Sequence, residues 1–281
     1  MPTLVLPDRG AVRVEGVEAR RFLDGLVTSS LDRVAPGRPR FGALLSPQGK
    51  ILFDFFIWQT GEDTFHLDVA RGLAPDLVKR LALYRLRAKI ALEDVSGALT
   101  AAAGWSGAPA PADAADDPRL AALGWRALVP RDGGDGGTDE GAYHAHRIRL
   151  GVPESGQDFA PGDAFPHETL MDQLGGVDFD KGCYVGQEVV SRMQHRGTAR
   201  SRIVPVVSGD GAAVEPGAEV TAGGRAIGRT GSAAGERGLA LLRLDRVAEA
   251  VAAGTPLLAG GHPVSVELPG WAAFALPAPA A

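Results

Sequence analysis

The sequence predicts an α+β protein that ends in a small antiparallel β domain, and three observations predict it. Residues 73–87 carry Leu73, Leu77, Leu81 and Tyr84 at helical spacing. Residues 50–58 form an apolar run of strand length, rich in Phe and Ile. Beyond Arg202 the texture changes to short apolar runs split by Gly and Pro, at 203–207, 219–222 and 239–244. That is the pattern of a small barrel or sandwich of roughly 80 residues. The division falls between residues 1–201 and 202–281.

The remaining elements follow in chain order. Residues 14–34 read as an amphipathic helix with Phe22, Leu23, Leu26 and Val27 on one side, closed by a turn at Pro36 and Gly37. In the strand at 50–58, Ile51, Phe53, Phe55 and Ile57 share one face, while Leu52, Asp54, Phe56 and Trp58 share the other. Both faces are apolar, so Asp54 is expected to be at least partly buried. A chain keeps such a carboxylate when something compensates it or uses it; otherwise it bonds nearby backbone amides at a strand end or bulge. Segments 107–118 and 131–141, rich in Ala, Pro, Gly and Asp, read as surface loops with no packing role, and 120–129 as a strand.

Composition bounds the function. At 281 residues and 45% hydrophobic content the chain can bury a large core. A formal charge of −5 argues against nucleic acid as a partner. No stretch approaches the length of a membrane span, and Asp8, Arg9, Arg13 and Glu15 break up any signal-peptide core. A single cysteine excludes an internal disulfide framework and fits a reducing, cytoplasmic setting.

That cysteine, Cys183, stands in Lys181-Gly182-Cys183-Tyr184-Val185-Gly186-Gln187-Glu188, ahead of a helix-like stretch at 188–194. Glycines at 182 and 186 let the backbone turn and leave the sulfur uncovered. A helix N-terminus just after it, with Lys181 two positions before, favours the thiolate, the nucleophilic and metal-binding form. A lone cysteine is more often a small buried apolar side chain, but these neighbours serve no such role. Arg192, Arg196, Arg200 and Arg202 with His195 follow without an acid among them, a positive run suited to an anionic ligand, an acidic partner or simply a solvated helix face. His195, twelve positions on, lies roughly 18 Å up a helix axis, too far for a Cys-His pair. His167 is a freer candidate, and His144 with His146 make poor joint metal ligands.

Residues 166–188 (PHETLMDQLGGVDFDKGCYVGQE) resemble the signature of YgfZ-type folate-binding proteins, relatives of the glycine-cleavage aminomethyltransferase that include a mitochondrial assembly factor for iron-sulfur proteins. Residues 22–28 (FLDGLVT), 46–54 (SPQGKILFD) and 147–153 (RIRLGVP) extend the likeness over most of the chain. The resemblance implies a GcvT-like α+β fold of three lobes around a central cleft, with a C-terminal β-barrel. It makes residues 1–201 the folate-binding region and tetrahydrofolate the cofactor. It assigns Asp54 to the position facing the reactive folate nitrogens. Arg147, Glu168, Tyr184, Gln187 and Glu188 join Asp54 in the binding set, and Cys183 with Lys181 form the reactive group. The chain has Phe53-Asp54 where aminomethyltransferases have two aspartates. At 123–130 (LGWRALVP) it lacks their Gly-Tyr-Thr-Gly-Glu stretch. Glycine-cleavage activity is therefore not expected. Clusters are usually held by four protein ligands, so Cys183 serves one only as a ligand shared with another protein, an iron-sulfur carrier or client, or with a second copy of the chain. The implied function is a folate-binding accessory factor for assembly or repair of iron-sulfur enzymes. The alternatives are a folate-dependent one-carbon transferase and a cysteine-nucleophile transferase.

Overall fold

Val12 and Val14 are buried on one face of a strand, and this alternation, not a helical period, governs the start of the chain. The computed structural model describes residues 2–132, 139–197 and 199–278. They form two units, one of Met1–Glu140 with Leu174–Ser191 and one of Gly141–Gln173 with Arg192–Ala281.

The first unit runs β1 (Thr3–Leu6), β2 (Arg9–Glu15), α1 (Ala19–Asp24), β3 (Arg40–Leu45), β4 (Ile51–Gly61), β5 (Thr64–Ala70), α2 (Ala74–Arg85), β6 (Ala91–Asp94), β7 (Leu99–Gly104), β8 (Ala115–Asp116) and β9 (Trp125–Pro130). Two antiparallel sheets result, ordered β3-β4-β5-β2-β6 and β1-β7-β9-β8. One face of the larger sheet, with Val12, Val14, Phe53, Phe55, Ile57, Phe65 and Leu67, packs against Leu23 of α1 and Leu77 and Leu81 of α2. Its other face carries Asp54, Phe56 and Trp58 of β4, with Asp68 paired across from Phe56.

The second unit contains α3 (Glu140–Leu150), the end of α4 (Gln187–Arg196), β10 (Ser201–Ser208), β11 (Glu219–Ala222), β12 (Arg225–Ala234), β13 (Arg237–Arg243), α5 (Leu244–Ala252), β14 (Leu257–Ala259) and β15 (His262–Val266). The six strands close a barrel in the order β10-β13-β12-β11-β14-β15. Val204, Val206, Val220 and Leu242 fill it, together with Leu244 and Val247 of α5.

Three expectations are corrected. The helix predicted over 14–34 shrinks to α1, because Gly16, at φ +135°, ends β2 and the chain turns before Ala19. The strand predicted over 120–129 starts only at Trp125, after a 3-10 turn at Ala121–Leu123 and Gly124 at φ +90°. Segment 107–118 does pack: Ala108 is buried, its carbonyl accepts the Trp125 indole N–H at 3.0 Å, and β8 pairs with β9. Of the loop predicted at 131–141, residues 133–138 lie outside the described residues. The boundary at 201/202 marks where the barrel strands begin but not where the second unit does, since residues 141–173 and 192–200 cluster with the barrel. The physical reason is a buried ion network. Arg147, on α3, donates to Asp158 Oδ2 at 2.7 Å, and Asp158 Oδ1 accepts the Ser232 N–H at 2.8 Å and its hydroxyl at 2.6 Å from β12.

Candidate functional site

The segment leading to Cys183 has no regular structure, so its position depends on what it is tied to. Thr28 is the first tie: its hydroxyl donates to Gly176 O at 2.6 Å and its carbonyl accepts the Asp178 N–H at 2.9 Å. Arg33 pairs with Asp178 at 3.2 Å. Lys181 then turns inward, its side chain 2% exposed. Its ammonium donates to the carbonyls of Asp24 at 2.7 Å, Val27 at 2.9 Å and Ser29 at 2.9 Å, and approaches Asp24 Oδ1 at 3.3 Å. Burial lowers its pKa, with Asp24 opposing. Three carbonyls fill the three donors of an ammonium, so Lys181 anchors the loop.

The far side of the loop is held by backbone proximity. Gly186 has φ +81°, and a Cβ there would lie 2.5 Å from Ser46 O and 3.1 Å from Gly49 Cα. Gly49, also at φ +81°, would place a Cβ 2.9 Å from Val189 Cβ. The turn between β3 and β4 and the start of α4 therefore touch through glycine. Gly182 has open space around it and no such constraint. Cys183, between these two anchored ends, is exposed.

Tyr184 folds back and is buried, with its ring 5.7 Å from the Lys181 ammonium. Burial, and then the charge of Asp178, pushes its phenol up to about 12, and its hydroxyl has no hydrogen-bond partner among the described residues. Gln187 opens α4 with its N–H on Tyr184 O at 3.3 Å, and Glu188 lies in the first turn, where a carboxylate suits the helix dipole.

Asp54 lies in the same unit, 9% exposed, paired with Ala43 of β3 and sharing a sheet face with Phe56 and Trp58. Trp58 is buried and its indole N–H has no partner among the described residues. Beside them is a group that sequence reasoning missed. Asp68 is fully buried and accepts from Arg9 Nε at 2.8 Å and Arg126 Nε at 2.6 Å. The Arg126 and Arg119 guanidiniums stand 4.2 and 4.9 Å from the Phe56 ring centroid. Burial alone raises the Asp68 pKa, and the two arginines outweigh it, holding the carboxyl below its ordinary range. The available signal was the alternation in β5, where Phe65, Leu67 and Val69 face the core and His66 and Asp68 do not.

Two residues of the predicted binding set lie in the second unit. Arg147 is fully buried, donates to Asp158 Oδ2 and Val152 O, and lies 3.0 Å from Glu154. Two carboxylates and a carbonyl hold it in place, while its Nη2 has no hydrogen-bond partner among the described residues. Glu168 accepts the Phe165 N–H at 2.8 Å through Oε2, and its carbonyl accepts the Ile203 N–H. His167 is buried there, 3.1 Å from Gln194 Oε1, and burial lowers its pKa. Of the predicted positive run, Arg192, Arg196 and Arg200 are exposed. Arg202 instead turns inward to a bidentate pair with Asp172, both bonds 2.8 Å. Among the described residues, no three His, Cys, Asp or Glu side chains gather as metal ligands.

Comparison with known proteins sets this site in context. Residues 8–105 match the GCVT N-terminal domain, and residues 200–274 match the CAF17 C-terminal beta-barrel domain. The crystal structure of glycine cleavage system aminomethyltransferase T from Bartonella henselae superposes with a TM-score of 0.77, covering 96% of this chain and 86% of that one at 16% identity. This likeness shows the GcvT-like fold. Iron-sulfur cluster assembly factor IBA57, mitochondrial, of Homo sapiens is 35% identical over 275 residues, covering 86% of this chain and 77% of that protein. The Mus musculus protein of the same name is 34% identical over 279 residues, with the same coverage. These relatives are mitochondrial, which overturns the cytoplasmic expectation drawn from the single cysteine. They also carry a different name from the YgfZ-type one that the motif suggested. By this identity and coverage, the chain belongs to the family of iron-sulfur cluster assembly factor IBA57.

Proposed function

We propose that this protein is a tetrahydrofolate-binding accessory factor for the assembly or repair of iron-sulfur enzymes, with Cys183 as its working group. The observation that carries the reading is an exposed thiol on a loop anchored at both ends, in a chain with no second cysteine. One thiolate cannot complete a cluster site, so Cys183 acts as one ligand of a cluster held jointly with a carrier or client protein. Lys181 then serves as a positioning residue, fixing the loop that carries the thiol. Deleting the gene is expected to lower the activity of a subset of iron-sulfur enzymes. Unchanged activity across all of them removes the assembly role.

The folate part rests on the Asp54 face of the first unit. A buried carboxylate among Phe56 and Trp58, with an indole N–H lacking a partner, suits a flat heteroaromatic ring with polar edges. When bound, tetrahydrofolate supplies a reduced carrier for one-carbon units, while Asp54 supplies the charge facing the ring nitrogens. Calorimetric titration with tetrahydrofolate is expected to give measurable heat for the parent protein and about tenfold weaker binding for Asp54→Asn. Equal affinity takes Asp54 out of the site, and no heat from the parent protein removes the ligand.

A further inference from the structure

An exposed apolar and basic surface of the first unit lies across the five-stranded sheet from the cysteine loop. The loop packs on the turn between β3 and β4, and the sheet ends on the other side at β6. Four strand spacings separate β3 from β6, about 19 Å.

At the β6 side stand Val17, Leu83 and Leu86, with relative exposures of 73%, 70% and 87%. The other exposed large apolar residues among the described residues are less open, Phe179 at 36% and Val251 at 62%. Leu83 and Leu86 sit three apart at the end of α2. Val17 is brought beside the same stretch by its neighbours. The Lys89 N–H donates to Glu18 Oε2 at 2.7 Å, and a Cβ on Gly16 would lie 2.3 Å from Lys89 O.

Leu86 is the least expected of the three. It caps α2 at φ +45° and ψ −103°, a conformation that suits glycine and strains a branched side chain. Its side chain gives nothing back to the core. A leucine kept open to solvent in a strained backbone is unfavourable for the isolated fold, so its use lies outside the fold.

The cations around it are also unspent. Arg80, Arg85, Arg87 and Lys89 are exposed, and none has a side-chain acid partner among the described residues. Residues 80–89 hold no acid; Lys79 is paired with Asp76 at 2.8 Å, Glu18 holds the Lys89 N–H, and Glu15 and Glu93 on the neighbouring strands are taken up by Arg13 at 3.5 and 2.5 Å. In a chain of net charge −5 this is a concentrated positive rim around apolar side chains.

We propose that this face docks an acidic partner protein, with Leu83, Leu86 and Val17 as anchors and Arg80, Arg85, Arg87 and Lys89 as the rim. Buried apolar anchors ringed by charge are the form a protein interface takes. Two-fold pairing of the face with itself would set the cations of both copies against each other, which disfavours a second copy as the occupant. A membrane surface needs a continuous apolar helix face, and on α2 that face, with Leu77 and Leu81, is already committed to the core. The face is made of residues other than those of the loop that carries Cys183, so the surface goes beyond the proposed cluster site.

The test begins with a photo-cross-linking amino acid in place of Leu83 in the full chain, in the cell that makes it. One acidic protein is expected as the adduct, and that protein is then purified and titrated against the parent chain. The Arg80→Glu, Arg85→Glu, Arg87→Glu triple variant is expected to lose at least about tenfold in affinity, and added salt should weaken the parent in the same direction. Leu86→Gly is expected to lose about tenfold while keeping or raising the melting temperature, because glycine relieves the positive φ. A loss of binding in that variant therefore cannot come from unfolding. The proposal is overturned by an adduct with a second copy of the chain, by no adduct, or by a captured protein that binds all variants equally. Co-sedimentation with phosphatidylglycerol vesicles that is lost in the triple variant overturns it in favour of a membrane.

Discussion

Asp68→Asn is expected to lose about 3–5 kcal/mol of stability, the size typical of removing one partner from a buried ion group. The carboxylate stands between Arg9 and Arg126 with no solvent exposure, so neutralising it leaves two guanidiniums buried against one amide. Urea unfolding followed by tryptophan fluorescence checks this. A lower midpoint with an unchanged slope is the expected form, and a loss below about 1 kcal/mol would mean that water or rearrangement compensates the arginines. The pH dependence has a definite sign. The folded-state pKa of Asp68 is depressed, so its contribution is fully present above the unfolded value of about 3.9 and is lost as pH falls through the folded value. Parent and variant curves should therefore run parallel at neutral pH and converge in acid.

Cys183→Ala is expected to abolish rescue of iron-sulfur enzyme activity in a deletion strain while leaving the melting temperature within about a degree. The thiol is exposed and holds nothing, while the loop is anchored by Lys181, Thr28 and Gly186. Loss of function without loss of fold is the signature of a working group. Complementation at matched expression is the measurement, and full rescue would leave only a folate-binding scaffold. The isolated parent protein should be colourless and free of stoichiometric iron, since one cysteine completes no cluster site.

Much of this was legible from local pattern. The two-residue alternation of 50–58 marks both the strand and the burial of Asp54, and β4 with a 9% exposed Asp54 follows. The spacing of Leu73, Leu77, Leu81 and Tyr84 gives α2 within two residues at its C-terminus. Where local pattern misled, the turns on either side of α1 decided. Leu26 and Val27 continue the helical spacing of α1 by coincidence, since Gly25 has already closed the helix and they reach the core from the turn after it. The site was legible as motifs but not as a place. Nothing in residues 22–28 says that their carbonyls wait for Lys181, because a backbone acceptor has no sequence signature. Arg147 shows the converse: its motif was readable, but its buried carboxylate partners are supplied by the fold.

The Lys181 anchor also bears on how the chain is made. Lys181 emerges from the ribosome 157 residues after Asp24, whose carbonyl it will hold. At the usual 5–20 residues per second, the acceptors of Asp24, Val27 and Ser29 stay hydrated for roughly 8–30 s before their cation exists. Residues 141–173, made in that interval, go to the other unit. A chain broken off early carries neither the anchor nor the thiol. Incomplete translation products therefore lack the fixed loop, which is set only as the first unit closes.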